Sequence, residues 1–471
     1  MILAIDQGTT GTTCLVIDDE LRVEGRGYRE FPQHYPEPGW VEHDPEELWA
    51  SVLGAAEAAV QAAGVRPNEL RALGIANQRE TTVLWERATG RPVAPAIVWQ
   101  DRRTAARCRE LPTELVRART GLVPDPYFSA TKLEWLLART DVPRSKLAFG
   151  TVDSWLVWKL TGGRVHATDL TNASRTMLLD LDSLDWAAEL LGLFDVDRTL
   201  LPRLVRSSEV VGEAELLGVT LPIGGIAGDQ QAALFGHGCF DRGEAKATYG
   251  TGSFVLAHAG GERVPAPTGL LETVAASGGY AFEGAILASG AAIQWLRDGL
   301  GILADAAESE RLARTVDSTG GVSFVPAFAG LGSPHWDPDA RGVISGITRG
   351  TTRAHLVRAA LEAIAFQVAD VLDVLPAGID VLRADGGAST NGFLMQFQAD
   401  LLGCPVEVAA ESETTALGAA ALAGRATGLW PDDGAIRARL PPRAVYEPAA
   451  DPDTVAARRA DWRAALGRAL R

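Results

Sequence analysis

Three aspartates stand at matching places along the chain. Asp6 ends "ILAID", Asp229 follows "IGGIAG" and Asp385 ends "VLRAD"; each is preceded by a short apolar run and followed by Gly, Thr or amide residues. In α/β sheets ligands sit beyond the carboxyl ends of strands, so three such aspartates can line one crevice. The chemistry that needs this set is phosphoryl transfer. Thr/Gly turns present backbone N–H and hydroxyl groups to phosphate oxygens with no side chain in the way. One carboxylate can hold a hydrated Mg²⁺, and a second, aimed at a hydroxyl, can take its proton. A lone Asp at a strand end is as often a cap for a turn or helix. Three of them beside Gly/Thr loops fit that reading less well.

The elements around them predict how they are carried. After Asp6 and "QGTTG" comes "TTCLVID", so the first loop joins two strands. A dinucleotide fingerprint or a P-loop would need a helix there, and no Gly-Lys dipeptide exists anywhere in the chain. "DPEELWASVLGAAEAAVQAAG" predicts a helix with Asp44 as N-cap, Pro45 in its first position, Glu47 closing a capping box and Gly64 as stop. "LRALGIAN" and "APAIVWQD" read as buried strands, and "TKLEWLLART" as a helix. Near mid-chain "AKATYGTGSFVLAHAGG" repeats the order strand, Thr/Gly turn, strand. Residues 353–375 place apolar side chains at 357, 361, 364, 368, 371 and 375, the period of one long helix. The architecture predicted is α/β, two similar lobes facing a central cleft, divided into residues 1–237 and 238–471.

Composition narrows the partners. The 471 residues are 46% hydrophobic and carry a net charge of −16, a balance that repels nucleic acid and anionic membrane. Four scattered cysteines without a CxxC predict a reduced, cytoplasmic protein, and seven histidines without metal spacing predict no zinc site. The most apolar long stretch, residues 278–296, contains Glu283 and Gln294, so no membrane insertion is expected.

The motifs themselves are distinctive. "DQGTTGTT", "PGWVEHDPEELW", "NQRETTVLW", "AIVWQDRRT", "TGLVPDPYFSATK", "TVDSWLVWKLTGG", "TNASRTML", "GIAGDQQAALFG", "TYGTGSF", "AFAGLGSPHWDPDARG" and "DGGASTNGFLMQFQADLLG" run from residue 1 to about 430. Together they strongly resemble the FGGY carbohydrate kinases of the actin-like ATPase fold. "NQRETT" with "DPYF" resembles the glycerol kinase branch. The resemblance implies two ribonuclease-H-like lobes, with ATP and glycerol meeting between them. It also implies a soluble homo-oligomer, dimer or tetramer, in the cytoplasm.

Roles follow from the resemblance residue by residue. Asp229 is the general base and Asp6 organises Mg²⁺. Arg79, Glu80, Tyr127, Asp229 and Gln230 match the family's glycerol contacts, with Trp99 and Phe254 as its aromatic pair. Thr9, Thr10 and Gly11 match the first phosphate loop and Thr251 the second. Gly290, Gln294, Gly387 and Asn391 match the remaining nucleotide contacts. Without the family, Arg79 and Glu80 read as a surface ion pair and Trp99 and Tyr127 as core aromatics. The small residues of "TTALGAAALAG" read as close helix packing.

Two positions depart from the family pattern. Thr13 stands where many members carry an arginine, which removes a fixed positive charge near the nucleotide phosphates. His335 replaces a usual tyrosine. "PAFAGLGSP" superficially resembles a galactokinase-type phosphate loop, but that loop must open a helix, and here Pro334 and "WDPDARG" follow. An actin-like ATP-sensing protein would need no polyol pocket. Another FGGY sugar kinase is the nearest alternative.

Overall fold

A computed structural model describes residues 1–470. The first sheet is built from β1 (Ile2–Gln7), β2 (Gly11–Ile17), β3 (Val23–Glu30), β4 (Ala72–Asn77), β5 (Ser208–Leu216) and β6 (Val219–Gly228). Its order is β5-β6-β4-β1-β2-β3, with β1, β4 and β6 parallel and the outer strands antiparallel.

The second sheet comprises β7 (Glu244–Tyr249), β8 (Ser253–Gly260), β9 (Leu271–Val274), β10 (Tyr280–Ile286), β11 (Val381–Asp385), β12 (Val406–Ala409) and β13 (Pro442–Tyr446). Its order is β9-β10-β8-β7-β11-β12-β13. The two central runs, β3-β2-β1-β4-β6 and β10-β8-β7-β11-β12, repeat one topology: an antiparallel meander continued by parallel strands. The echo between the two Thr/Gly hairpins is therefore structural.

Helix α1 (Pro45–Ala63) covers the first sheet. Gly25 and Gly27 of β3 make room for it: a Cβ on either would lie 2.4 or 2.1 Å from the backbone oxygens of Ala59 and Ala55. Asp44 caps α1 by accepting from the Glu46 N–H, and Gly64 closes it with φ 66°. The capping box is a correction. Glu47 does not reach back to the cap; its carboxylate pairs with His34 at 3.2 Å. The strand expected over "APAIVWQD" is also shorter than expected, Ala96–Ile97, because Asp101 turns back to accept from the Val41 N–H at 2.7 Å.

Two further helices sit at the seam. α2 (Asp229–Gly236) follows β6, while α5 (Thr414–Ala426) lies far along the chain; between them come α3 (Gly290–Asp298) and the long α4 (Arg353–Asp373). Leu375, the last residue of the periodic pattern, falls just beyond α4. α5 packs across α2 and the first sheet. A Cβ on Gly418 would stand 1.8 Å from the Ala232 carbonyl oxygen, and one on Gly236 2.0 Å from that of Thr414. The small residues of "TTALGAAALAG" are packing residues: they allow this approach.

Candidate active site

The β1–β2 turn is held from beneath. Gln78 donates its backbone N–H to the Gln7 carbonyl at 2.7 Å, and its side-chain amide to Gln7 Oε1 and the Gly8 carbonyl, each at 3.1 Å. Thr9 accepts from Trp99 Nε1 at 2.9 Å, which ties this turn to the aromatic wall of the neighbouring site. Thr10 is exposed, and a Cβ on Gly11 would meet the Tyr28 ring. Asp6 opposes Thr13 across β1–β2, so both side chains share a sheet face. The Asp6 carboxylate makes no hydrogen bond or ion pair among the described residues. Burial first, then the like charges of Asp229 and Glu413, lift its carboxyl well above the usual range. An unpartnered carboxylate among like charges suits a cation. No group of three or more His, Cys, Asp or Glu side chains among the described residues is arranged to hold a metal, so such an ion would need phosphate and water oxygens as well.

Arg79 and Glu80 are buried, which excludes the surface-pair reading. Arg79 is the hub. Its Nε lies 3.1 Å from Asp229 Oδ1, Nη1 is 2.5 Å from Glu283 Oε2, and Nη2 donates to Glu283 Oε1 at 2.9 Å and to the Tyr127 hydroxyl at 3.4 Å. Glu80 occupies the left-handed region at φ 61°, a conformation that costs a non-glycine residue free energy and must be held by its surroundings. Its carbonyl accepts from Ser129 Oγ at 3.0 Å and Lys132 Nζ at 3.4 Å, and Lys132 also donates to the Tyr127 carbonyl at 2.6 Å. Burial outweighs nearby carboxylates and brings the Lys132 amine down to about 7. The rings of Tyr127 and Trp99 meet edge to face, 5.5 Å between centroids.

Asp229 is the first residue of α2, and its side chain is 31% exposed. Its Oδ1 accepts the Gln230 N–H at 2.7 Å, while Gln230 Oε1 accepts from Lys246 Nζ at 2.5 Å. Lys246 stands on β7 of the second sheet. Burial lowers its amine, opposed by the charges of Asp385, Asp229 and Glu283. Phe254 on β8 pairs with Thr248 across the hairpin, on the face that carries Lys246. It is half-buried, and no ring contact joins it to Trp99 among the described residues.

The nucleotide-matched residues of the second lobe line a cavity of about 550 Å³, whereas Thr9, Thr10 and Gly11 are not among its lining. Thr251, Gly290, Gln294, Gly387 and Asn391 all line it, with Arg297 and Glu310, which sequence motifs did not single out. The "GG" turn is required here: Gly386 has φ 83°, and a Cβ on it would clash with the Tyr249 backbone at 2.6 Å. The Gly290 N–H donates to the Gly250 carbonyl at 2.9 Å, fixing the start of α3 against the second Thr/Gly hairpin.

Asp385 departs from the pattern of the other two aspartates. Its Oδ2 accepts from Thr414 Oγ1 and pairs with His237 at 3.2 Å, so it fastens the seam helices and does not open on the cleft. His335 lies 3.7 Å from Asp370, whose carboxylate accepts from Trp462 Nε1. Three charged residues at the centre were given no role from the sequence: Lys246, Glu283 and Arg175, the last although it lies within "TNASRTML". For Glu283 the available clue was a single charge inside the otherwise apolar strand "YAFEGAI".

Known proteins share this fold and these domains. The N-terminal and C-terminal domain models of the FGGY family of carbohydrate kinases match residues 1–236 and 245–427. Among curated relatives, the chain is 50% identical to glycerol kinase 2 of Thermotoga maritima, covering 100% of this chain and 98% of that protein. It is 53% identical to the glycerol kinase of Bordetella parapertussis, covering 99% and 96%. Among solved structures, Plasmodium falciparum glycerol kinase with ADP superposes with a TM-score of 0.94 at 34% identity, covering 100% and 98% of the two chains. A xylulose kinase from Brucella ovis reaches 0.89 at 27% identity, covering 99% and 98%. With two repeated lobes, both Thr/Gly hairpins and full-length relatives of this similarity, the chain belongs to the FGGY family of carbohydrate kinases, in its glycerol kinase branch.

Proposed function

We propose that this chain transfers the γ-phosphoryl group of ATP to a terminal hydroxyl of glycerol, yielding sn-glycerol 3-phosphate and ADP. The observation that carries this reading is the convergence of Arg79, Glu80, Tyr127 and Asp229, where Arg79 fixes Asp229 and leaves part of its carboxylate open. Arg79, Glu80, Tyr127 and Gln230 supply the mixed donors and acceptors that three hydroxyls require, and Trp99 and Phe254 cover the carbon chain. Asp229 accepts the proton of the attacking hydroxyl as the new O–P bond forms and the bond to the leaving ADP oxygen breaks. Thr9, Thr10, Gly11 and Thr251 hold phosphate oxygens, while Gly290, Gln294, Gly387 and Asn391 hold the rest of the nucleotide. Asp6 would hold Mg²⁺, which when bound would neutralise charge developing on the phosphate. Residues 1–237 then form the polyol lobe and 238–471 the nucleotide lobe.

The names of relatives at 50–53% identity favour glycerol over a sugar. No helix among the described residues is long and apolar enough to cross a membrane. The cytoplasmic homo-oligomer proposed here rests on the free cysteines and the family resemblance. An ADP-release assay across glycerol, pentuloses and gluconate tests the substrate. Glycerol should give by far the highest kcat/KM, and an equal or higher value for a pentulose overturns the assignment in favour of another FGGY sugar kinase. ATP consumption indifferent to glycerol would point to an actin-like ATPase.

A further inference from the structure

The polyol residues Arg79, Glu80 and Tyr127 belong to the first lobe, yet the strongest contact of Arg79 comes from the second. Glu283 is on β10. Across the sheet it pairs with Leu256, which pairs with Lys246, so Glu283 and Lys246 project from one row of one face. That face reaches the first lobe through Lys246 at Gln230, Glu283 at Arg79 and Thr273 at Ser174 and Gln231. The Glu283 side chain is 1% exposed, and both its oxygens are committed. Oε2 takes Arg79 Nη1 at 2.5 Å, and Oε1 takes Arg79 Nη2 at 2.9 Å and Arg175 Nη2 at 3.2 Å. Such a two-pronged clamp fixes the plane of a guanidinium as well as its position. With that plane set, Arg79 Nε is directed at Asp229 and Nη2 at Tyr127.

Arg175 completes the frame. Its Nε donates to Glu80 Oε1 at 2.7 Å, its guanidinium lies over the rings of Tyr127 and Phe128, and its Nη1 is buried without a partner. Burial alone would raise the Glu283 carboxyl; Arg175 and Arg79 outweigh it and hold it at about 2, so it is ionised whenever the protein is folded near neutrality. Removing that charge would leave two buried guanidiniums with Glu80 and the half-open Asp229 as counter-charges.

We propose that Glu283 is a positioning residue by which the second lobe sets Arg79, so that the polyol site is completed only when the lobes are engaged and polyol and nucleotide bind cooperatively. The proposal rests on the glycerol-kinase reading above. An ion pair of purely structural value would lower stability without touching the cooperativity. One with the proposed role must change it, because each ligand can favour the engaged state only through contacts made in that state.

The test uses the full chain. ADP affinity is measured by calorimetry with and without saturating glycerol, beside steady-state KM values, for wild type, Glu283→Gln and Ser174→Ala. Ser174 bonds Thr273 across the lobes at 2.9 Å without touching Arg79, so it controls for generic loss of lobe contact. Wild type should bind ADP more tightly with glycerol present. In Glu283→Gln that ratio should fall to near one, with the KM for glycerol raised by about tenfold or more, as expected when a fixed charge is left unpaired, and the KM for ATP nearly unchanged. Ser174→Ala should retain the ratio. If Glu283→Gln does not fold, Arg175→Lys, which keeps the charge and loses the fork, should show the same loss in weaker form. A wild-type ratio of one, or an intact ratio in a folded Glu283→Gln, overturns the proposal. Absence of glycerol phosphorylation by wild type would instead overturn the reading on which it rests.

Discussion

Asp229 is held at Oδ1 by Arg79 and the Gln230 N–H and at Oδ2 by the Gln230 side chain at 3.3 Å, while its side chain stays 31% exposed. A group meant only to cap α2 would have no use for that opening. Asp229→Asn preserves shape and a hydrogen-bonding oxygen but cannot accept a proton. It should lower kcat by ~10²–10⁴-fold while leaving ADP affinity nearly intact, because general-base help is worth about that much. Near-normal turnover would place the base elsewhere. Asp6 has no such hydrogen-bond partners among the described residues. Its carboxyl is raised by burial and by negative neighbours, so protons compete with a cation there. The Mg²⁺ concentration for half-maximal rate should therefore fall as pH rises. Asp6→Asn should raise that concentration and flatten its pH dependence; an unchanged metal titration would count against Asp6 as the ligand. Asp6 and Asp229 were legible as a set, since several strand-end carboxylates beside Gly/Thr turns point to phosphoryl transfer, whereas Arg79 was legible only through the family resemblance. Arg175 and Glu283 were not. Glu283 is a lone charge in an apolar strand and Arg175 sits unremarked within a polar motif, and only the meeting of the two lobes shows that they neutralise one another.

At the scale of the element, the hairpins and the long helix were readable because their periods are local. The capping box at Glu47 and the length of the "APAIVWQD" strand were not, since His34 and Asp101 compete for those groups through tertiary contacts. The same limit governs Thr13. It faces Tyr28 across β2–β3, and the Arg26 guanidinium lies 5.8 Å over that ring while pairing with Glu413 at 2.8 Å. Arg26 thus offers a cation on the sheet face where the family arginine would stand. Arg26→Ala should raise the KM for ATP, and Thr13→Arg should recover it in that background; failure of both shifts would detach this face from nucleotide binding. The seam of α2 and α5 makes a separate demand. Gly418 lies against the Ala232 carbonyl, a backbone atom that cannot swing aside. Gly418→Ala should destabilise by on the order of 1–3 kcal/mol, the usual cost of overpacking. A melting temperature equal to wild type would mean the helices can separate freely.

For the whole molecule, pH enters through the first lobe. Asp153 accepts from Thr151 Oγ1 at 2.5 Å and Thr168 Oγ1 at 2.6 Å, and burial, with the charge of Asp169, pushes its carboxyl up to about 7. Asp169 is itself raised by burial, and it accepts from Ser207 Oγ and the Thr171 and Asn172 N–H groups. Thr171 Oγ1 in turn accepts the Gly228 N–H, so this network reaches the residue before Asp229. A carboxyl whose proton affinity is raised by folding stabilises fully below its ordinary value near 3.8, and that contribution is lost as pH rises through about 7. The net charge of −16 at pH 7 adds repulsion of the same sign, but equally in a variant of similar charge. Melting temperatures of wild type and Asp153→Asn, taken from pH 5 to 8, separate the two effects. Asn takes up no proton on folding, and the threonine hydroxyls can rotate to meet its amide. Wild type should lose more stability than Asp153→Asn across that range. Parallel slopes would mean that Asp153 is ionised throughout and that the lobe tolerates two buried carboxylates side by side.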